Sequence, residues 1–264
     1  MAEIAQERAT KISIHDGALL PVKGERRIID SWRITIAFAV MALVTLVIFA
    51  KEPYGQIFSV VVKGAPLTFG VTAGAILGAV VIGLFTGLGQ IARGRALRLI
   101  SGVYVELIRG IPLLVQLIFI YFALGRLFQL DGLPAAIIAL SICYGAYMGE
   151  IFRAGIQSIP KGQMEAAMAL GLTRGQALRY VILPQTMRVV LPAIGNEFIA
   201  MLKDSSLVSV IALRDILRRG REHVSRTFLS LETYALVALV YLIITLVLSK
   251  LVAIMEDRMN KHEG

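Results

Sequence analysis

Six apolar runs, separated by more polar segments, constrain the fold of this chain more than any other feature. They lie at about 34–50, 66–91, 111–128, 133–151, 189–213 and 231–254. Each approaches the roughly 17 to 25 residues that an α-helix needs to cross a bilayer. A helix satisfies its backbone hydrogen bonds internally, as a lipid environment demands. The pattern therefore predicts an all-α protein that spans the membrane several times.

The composition supports a membrane protein and argues against other classes. Of the 264 residues, 57% are hydrophobic and 17% are charged, which is too apolar for a protein that folds in water. A net charge of +9 is also found in nucleic-acid-binding proteins, but here the basic residues lie between the apolar runs. Anionic lipid headgroups and the positive-inside bias account for them there. The only cysteine, Cys143, lies in an apolar run, so we expect core packing and neither a disulfide nor a metal site.

The distribution of Arg and Lys predicts the orientation of the spans. Basic residues are frequent after the second and fourth spans and rare after the first and third: Arg93, Arg95, Arg98, Arg109, Arg153, Lys161, Arg174, Arg179 and Arg188, against Lys51, Lys63 and Arg126. By the positive-inside rule, both termini and the segment after the fourth span are cytoplasmic. Residues 214–226 depart from the rule, because they carry five arginines and yet lie outside by parity.

The two ends of the chain are expected to be cytoplasmic tails. Residues 1–33 contain no apolar run and no small-residue cleavage site near the first span, so we interpret them as a tail and not as a signal peptide. Residues 257–264 form the second predicted tail. In the second span, Gly70, Gly74 and Gly78 recur at every fourth position, which favours close helix packing in lipid.

The segment 152–188 begins with a predicted short helix. Pro160 suits a first helical turn, and residues 165–170 contain strong helix formers. Gly171 stands where a left-handed residue commonly ends a helix. The expected helix has small side chains at its alanines and apolar side chains at Met164, Met168 and Leu170. This combination is typical of an element that binds in a groove.

A second helix is predicted to follow at once. Thr173 and Gln176 have the spacing of a capping box. We expect this helix to run from Arg174 until Pro184 stops it.

These residues resemble the cytoplasmic loop of the permease subunits of bacterial ATP-driven importers, which has the pattern EAA-x3-G-x9-I-x-L-P. The match comprises Glu165, Ala166, Ala167, Gly171, Leu183 and Pro184, with Val181 where the pattern has Ile. Residues 106–116 and 203–207 look like the permeases of polar amino acid importers of the histidine, glutamine and arginine type. The resemblance covers roughly residues 60–256.

The resemblance implies a five-helix ABC importer permease core at 60–256, with an additional N-terminal transmembrane helix at 34–55. It implies that the coupling loop 152–188, with Gly162 and Gln163 beside the motif residues, docks on a cytosolic ATPase. The expected partners are two ATPase subunits, a second permease subunit of the same or a related kind, an external substrate-binding protein and a polar amino acid. The expected location is the bacterial inner membrane. ATP and Mg²⁺ would bind to the ATPase, and this chain would bind no cofactor.

The fifth span carries charges that cannot face lipid. Glu197, Lys203 and Asp204 each cost about 2.5 to 3.5 kcal/mol at a helix centre, against about 0.3 to 0.6 gained per apolar residue. On a helical period Glu197 and Asp204 share one stripe, and Lys203 lies about 100° away. We interpret these residues, with Ser205 and Ser206, as a path for a zwitterionic amino acid. The alternative is an internally neutralised pair that fixes helix packing.

Motifs for other mechanisms are missing from the sequence. It contains no phosphate-binding loop, no HExxH pair and no Gly-x-Ser-x-Gly elbow, so we expect a non-catalytic transport subunit that takes energy from a partner. Glu150 is expected to pair with Arg153 or with an arginine of the loop. Two alternative functions stay open: an ion-coupled secondary transporter that uses Glu197 and Asp204, and a membrane scaffold whose loop recruits a cytosolic protein.

Overall fold

The computed structural model describes residues 31–50 and 52–260. Within them the chain is helical and contains no β-strand. Short 3₁₀ or π turns join several of the helices. The α-helices are α1 Ser31–Val44, α2 Tyr54–Val61, α3 Ala65–Gln90, α4 Arg95–Gly110, α5 Leu113–Phe119, α6 Gly125–Phe128, α7 Gly132–Ser158, α8 Lys161–Ala169, α9 Arg174–Ala177, α10 Leu183–Asp204, α11 Ile216–Thr227 and α12 Ser230–Asn260.

Four helical stretches of the described chain are long and apolar enough to cross a membrane: Ser31–Phe49, Tyr54–Gln90, Gly132–Ser158 and Ser230–Met259. They correspond to four of the six predicted runs, and the runs at 111–128 and 189–213 are not among them. The run at 111–128 qualifies only together with the helix before it, as the pair Arg95–Gly110 and Leu113–Leu124, a broken span or a re-entrant loop whose limbs meet at 101°. That the two runs are separate spans stays a prediction. Pro112 stands at the break, and its ring disfavours a helical conformation in the residue before it.

Helices α3 and α7 run parallel and in close contact at the centre of the structure. Gly74 lies against Ile137, Gly83 against Met148, and Gly87 against Phe152. A methyl group at Gly83 would collide with the Met148 side chain, so glycine is required for this approach. Of the predicted glycine face, Gly74 and Gly78 pack against α7, whereas nothing lies within 4 Å of a Cβ added at Gly70.

Helix α10 and the 3₁₀ turn that follows it run antiparallel to α7. Val190 packs at Gly155, Asp204 bonds to Tyr144, and Leu213 packs at Gly132. The predicted fifth span therefore extends along α7 from end to end. As a result, the 161–184 loop and the arginine-rich segment 214–226 lie at opposite ends of the bundle, as the parity of the spans predicts.

The arginine-rich segment forms α11, which is anchored by Asp215, the residue directly before it. Asp215 is fully buried, and its carboxylate accepts hydrogen bonds from the backbone N–H groups of Leu217 and Arg218. This is an N-cap, and it satisfies backbone donors that a helix leaves free. Glu222 pairs with Arg214 at 3.4 Å and with Arg218 at 3.2 Å.

Helix α1 packs along α12. The Trp32 indole donates a hydrogen bond to the Leu246 carbonyl at 2.8 Å, and the Lys250 ammonium lies 5.2 Å from the centre of the same ring. The start of α1 thus lies beside the C-terminal half of α12. Residues 1–30 of the predicted N-terminal tail lie outside the described residues, and so do residues 261–264 of the predicted C-terminal tail. The division into a core and an added helix stays a prediction.

Candidate functional site

Helix α8 ends as the sequence predicts. Gly171 has a φ of 87°, in the left-handed region. The Gly171 N–H donates to the Met168 carbonyl at 3.0 Å, and the Leu172 N–H donates to the Ala167 carbonyl at 3.2 Å. This pair of bonds is a Schellman motif, which closes the open carbonyls of a helix end. The predicted helix and its left-handed end are therefore confirmed, with Pro160 directly before the first helical residue.

The second helix begins as predicted but does not end at the proline. The Thr173 side chain accepts from the Gln176 backbone, and the Gln176 side chain accepts from the Thr173 backbone, so the capping box is present. Pro184, however, lies in the first turn of α10. A π turn at Leu178–Ile182 precedes it. The wider turn shifts the hydrogen bonds, so the missing proline N–H does not interrupt the helix. The expectation that Pro184 stops this helix was wrong.

The exposed surface of the loop consists mainly of α8 and the turn after it. Gly162, Gln163, Glu165 and Ala166 are exposed, and Leu170 is 86% exposed. Ala167 faces inward and is buried. The Gln185 amide donates to the Gln163 side chain at 3.3 Å and so ties α8 to α10. Leu183 and Pro184 form the beginning of α10. The loop thus presents small and apolar groups on a surface joined to a long helix.

A half-open cavity of about 430 Å³ lies between the bend that joins α4 to α5, the middle of α7 and the C-terminal half of α10. This volume suits a small ligand. Its lining consists of the turn Arg109–Leu113 together with Cys143, Tyr144, Tyr147, Glu197, Ala200 and Asp204.

The cavity contains side chains of both charges. Two carboxylates, Glu197 and Asp204, come from α10, and one guanidinium, Arg109, comes from the end of α4. The Tyr144 hydroxyl donates to the Asp204 carboxylate at 2.8 Å. The Arg109 guanidinium lies 5.3 Å from the centre of the Tyr147 ring, which is a cation–π contact. The cavity therefore offers acceptors for an ammonium group and a donor for a carboxylate.

An ion-pair network lies beside the cavity. Glu150 pairs with Arg153 at 2.7 Å and with Arg109 at 3.9 Å. The predicted pairing of Glu150 with Arg153 is therefore confirmed. Arg109 lines the cavity and also reaches this network, so it links the two.

The structure brings only part of the predicted path together. Glu197 and Asp204 line the cavity, as their shared helical stripe predicts. Lys203 is exposed and lies outside the lining. Ser205 is fully buried and donates to the Leu202 carbonyl at 2.7 Å. Ser206 lies in the 3₁₀ turn after α10 and is also outside the lining. Within the described residues, no group of three or more His, Cys, Asp or Glu side chains is placed to hold a metal ion.

Sequence reasoning missed three cavity residues, Arg109, Tyr144 and Tyr147. Arg109 lies in the 106–116 stretch that carried the resemblance, and its position beside a Gly-Ile-Pro break was the available signal. Tyr144 and Tyr147 lie in an apolar run, where tyrosine is equally typical of a core. Only the packing of α7 against α10 shows that they face the carboxylates.

The chain matches a family described as "Binding-protein-dependent transport system inner membrane component", over residues 79–261. It is also similar to permeases of known transport systems. It is 42% identical to the glutamine transport system permease protein GlnP of Escherichia coli K12, over 75% of this chain and 92% of that protein. It is 35% identical to the arginine transport system permease protein ArtQ of Bacillus subtilis 168, over 77% of this chain and 94% of that protein.

Solved structures show the same likeness. A chain from the crystal structure of an amino acid ABC transporter with histidines superposes with a TM-score of 0.71 at 41% identity, covering 77% of this chain and 95% of that one. A chain of the MetNI methionine ABC transporter, at 23% identity and a TM-score of 0.65, shows the shared fold over 80% of this chain and 98% of that one. The helices, the loop and these matches agree: the chain belongs to the family of binding-protein-dependent inner membrane transport components, the ABC importer permeases.

Proposed function

We propose that this chain forms the path for a polar amino acid in an ATP-driven importer, and that α10 couples the path to the ATPase. One observation carries the proposal. Helix α10 begins at Leu183 in the coupling loop and continues as one α-helix to Glu197 and Asp204 in the cavity. Pro192 lies inside this helix, which stays helical on both sides of it, so we expect a movement of the loop to reach both carboxylates. Rigid-body motion of this kind is a known basis of alternating access.

The substrate class follows from the charges of the cavity and from the relatives. The relatives named above carry glutamine and arginine in their names. An amino acid has an ammonium group and a carboxylate a few ångströms apart. We place the ammonium group at Glu197 and Asp204 and the carboxylate at Arg109. Charge-assisted hydrogen bonds of this kind are about twice as strong as neutral ones.

Membership of the family implies an ATPase and a binding protein as partners. We propose two cytosolic ATPase subunits, bound at Gly162, Gln163, Glu165, Ala166, Ala167 and Gly171 of the loop and at Leu183 and Pro184, with ATP and Mg²⁺ on those subunits. The exposed Leu170 supplies an apolar anchor. We also propose a second permease subunit. It would cover the exposed polar side chains of α10, Asn196 and Lys203, which cannot face lipid. The roles of Lys203, Ser205 and Ser206 in the path stay a prediction.

The proposed orientation places the loop in the cytosol and α11 outside. Cysteines at Ser59 and at Gln129, introduced into a Cys143→Ser chain, should react with an impermeant maleimide added to intact cells. A cysteine at Gln163 should react only after the membrane has been opened. All three side chains are exposed, so access is decided by the side of the membrane. Labelling at Gln163 in intact cells would contradict the orientation and the docking of an ATPase on this loop.

The proposal also separates this chain from an ion-coupled transporter. The test compares proteoliposomes that contain the chain alone with proteoliposomes that contain the chain, its ATPase and its binding protein. We expect uptake of labelled L-glutamine or L-arginine only in the second set, and only with ATP at the ATPase side. Uptake by the chain alone, driven by an ion gradient, would contradict the proposal.

A further inference from the structure

The bend between α4 and α5 is bridged by a buried side chain, that of Gln116. Gln116 lies in the first turns of α5 and is 6% exposed. Its amide nitrogen donates to the Ile108 carbonyl at 2.8 Å and to the Ile111 carbonyl at 2.8 Å. The two carbonyls belong to the last turn of α4 and to the break itself. One amide group thus joins both sides of the bend.

The bend creates the need for this bridge. Carbonyls in the last turn of a helix have no partner within it, and water does not supply one inside a membrane. A primary amide has two N–H donors, and here both are used. Neither a methionine of similar length nor a carboxylate can provide them. The amide bridge is therefore specific to the chemistry of glutamine at this position.

The bridged turn is a wall of the cavity. Residues Arg109–Leu113 line it, and Gln116 does not. The position of the Arg109 guanidinium, between the ion-pair network and the α10 carboxylates, depends on where this turn lies. Cys143 lines the cavity from α7. As the only cysteine of the chain, it is a native reporter of access to this region.

We propose that Gln116 is a positioning residue for transport: its amide bridge holds the turn so that Arg109 faces the substrate in the cavity. Gln116 acts through the turn and does not touch the substrate. This inference rests on the proposed role of the cavity as the substrate path.

The test uses Gln116→Met in the complete complex with ATPase and binding protein. Met has a similar length and no donor, so the Ile111 carbonyl loses its partner. The apparent KM for labelled L-glutamine or L-arginine should rise about tenfold, because a displaced Arg109 loses its hydrogen bond to the substrate carboxylate, and a bond to a charged group contributes about that much. The amount of assembled complex and its basal ATPase should stay close to those of the unmutated protein. Cys143 should react about threefold faster or more with a small methanethiosulfonate, because a loosened turn opens more often to the reagent.

A second variant and a control make the result specific. Gln116→Asn keeps the amide but is one methylene shorter and cannot reach both carbonyls, so it should shift KM and Cys143 labelling in the same direction with less effect on folding. Gln56→Met is the control, because Gln56 is exposed on α2 and lies away from the cavity lining. It should change neither quantity.

The two readouts separate this inference from the proposed function. Unchanged Cys143 labelling in both Gln116 variants would show that the bridge does not hold the turn. Faster labelling with an unchanged KM would show that the turn is held but is not needed for substrate binding. Either result overturns the inference. Failure of the proposed function would instead appear as absent ATP-driven uptake in the unmutated complex, where labelling is still measurable.

Discussion

Gly171→Val is expected to abolish ATP-driven uptake while leaving binding of the substrate to the complex intact. Gly171 has a φ of 87°, which a β-branched residue adopts only at a cost of about 1–2 kcal/mol. Relief of this strain would open the Schellman bonds at Leu172 and swing α8 away from its docking position. The measurement is uptake in proteoliposomes together with ATPase activity, with and without substrate-loaded binding protein.

Gly175→Val provides a matched control for this substitution. At Gly171 and at Gly175 alike, no atom lies within 4 Å of an added Cβ, but only Gly171 has a positive φ. Both variants add the same side chain to the same loop, so they differ in backbone strain. Gly175→Val should retain most of the uptake. If stimulation of the ATPase by substrate survives intact in Gly171→Val, this turn has no role in coupling.

The loop was predictable because its signals are local. A left-handed glycine and a capping box each depend on residues within one or two turns, and the structure has both. Pro184 was misread because its effect depends on a π turn that no propensity indicates. The bend between α4 and α5 was not predicted for a similar reason. Hydropathy reports the apolar character of 111–128 but not the direction in which the chain leaves Pro112.

The cavity was predictable only where its residues share one helix. Glu197 and Asp204 are seven residues apart, so the helical period alone places them on one face. Arg109 and Tyr144 come from other helices, and their approach to α10 depends on the parallel packing of α3 with α7 and on the bend at Pro112. The helical period does not extend to Ser206, because the α-helix ends at Asp204 and the 3₁₀ turn that follows has a different period.

Asp204→Asn is expected to raise the KM for amino acid uptake by about tenfold or more, the loss expected for a hydrogen bond to a charged group. The asparagine oxygen can still accept from Tyr144, so the packing of α7 against α10 is kept, while the charge that would bind the ammonium group is removed. Asp131→Asn serves as the control. Asp131 is exposed before α7 and makes no side-chain cap bond, so its substitution should leave uptake unchanged.

The exchange Lys203→Asp with Asp204→Lys is the stricter test of the same cavity. It keeps the net charge, so a pair that merely neutralises itself should tolerate it. In the described residues, however, Lys203 and Asp204 form no ion pair, and only Asp204 lines the cavity. The exchange therefore places a lysine beside Arg109 and reverses the charge that meets the ammonium group. Uptake should be abolished although the complex still assembles.

The most direct measurement is uptake of labelled L-glutamine or L-arginine by proteoliposomes that contain the complete complex, with ATPase activity recorded in parallel. We expect ATP-dependent uptake in the unmutated complex, a raised KM in Asp204→Asn, and background uptake in the exchanged pair with its basal ATPase retained. Near-normal uptake by the exchanged pair would contradict the assignment of this cavity as the substrate path and leave the charges of α10 as packing elements.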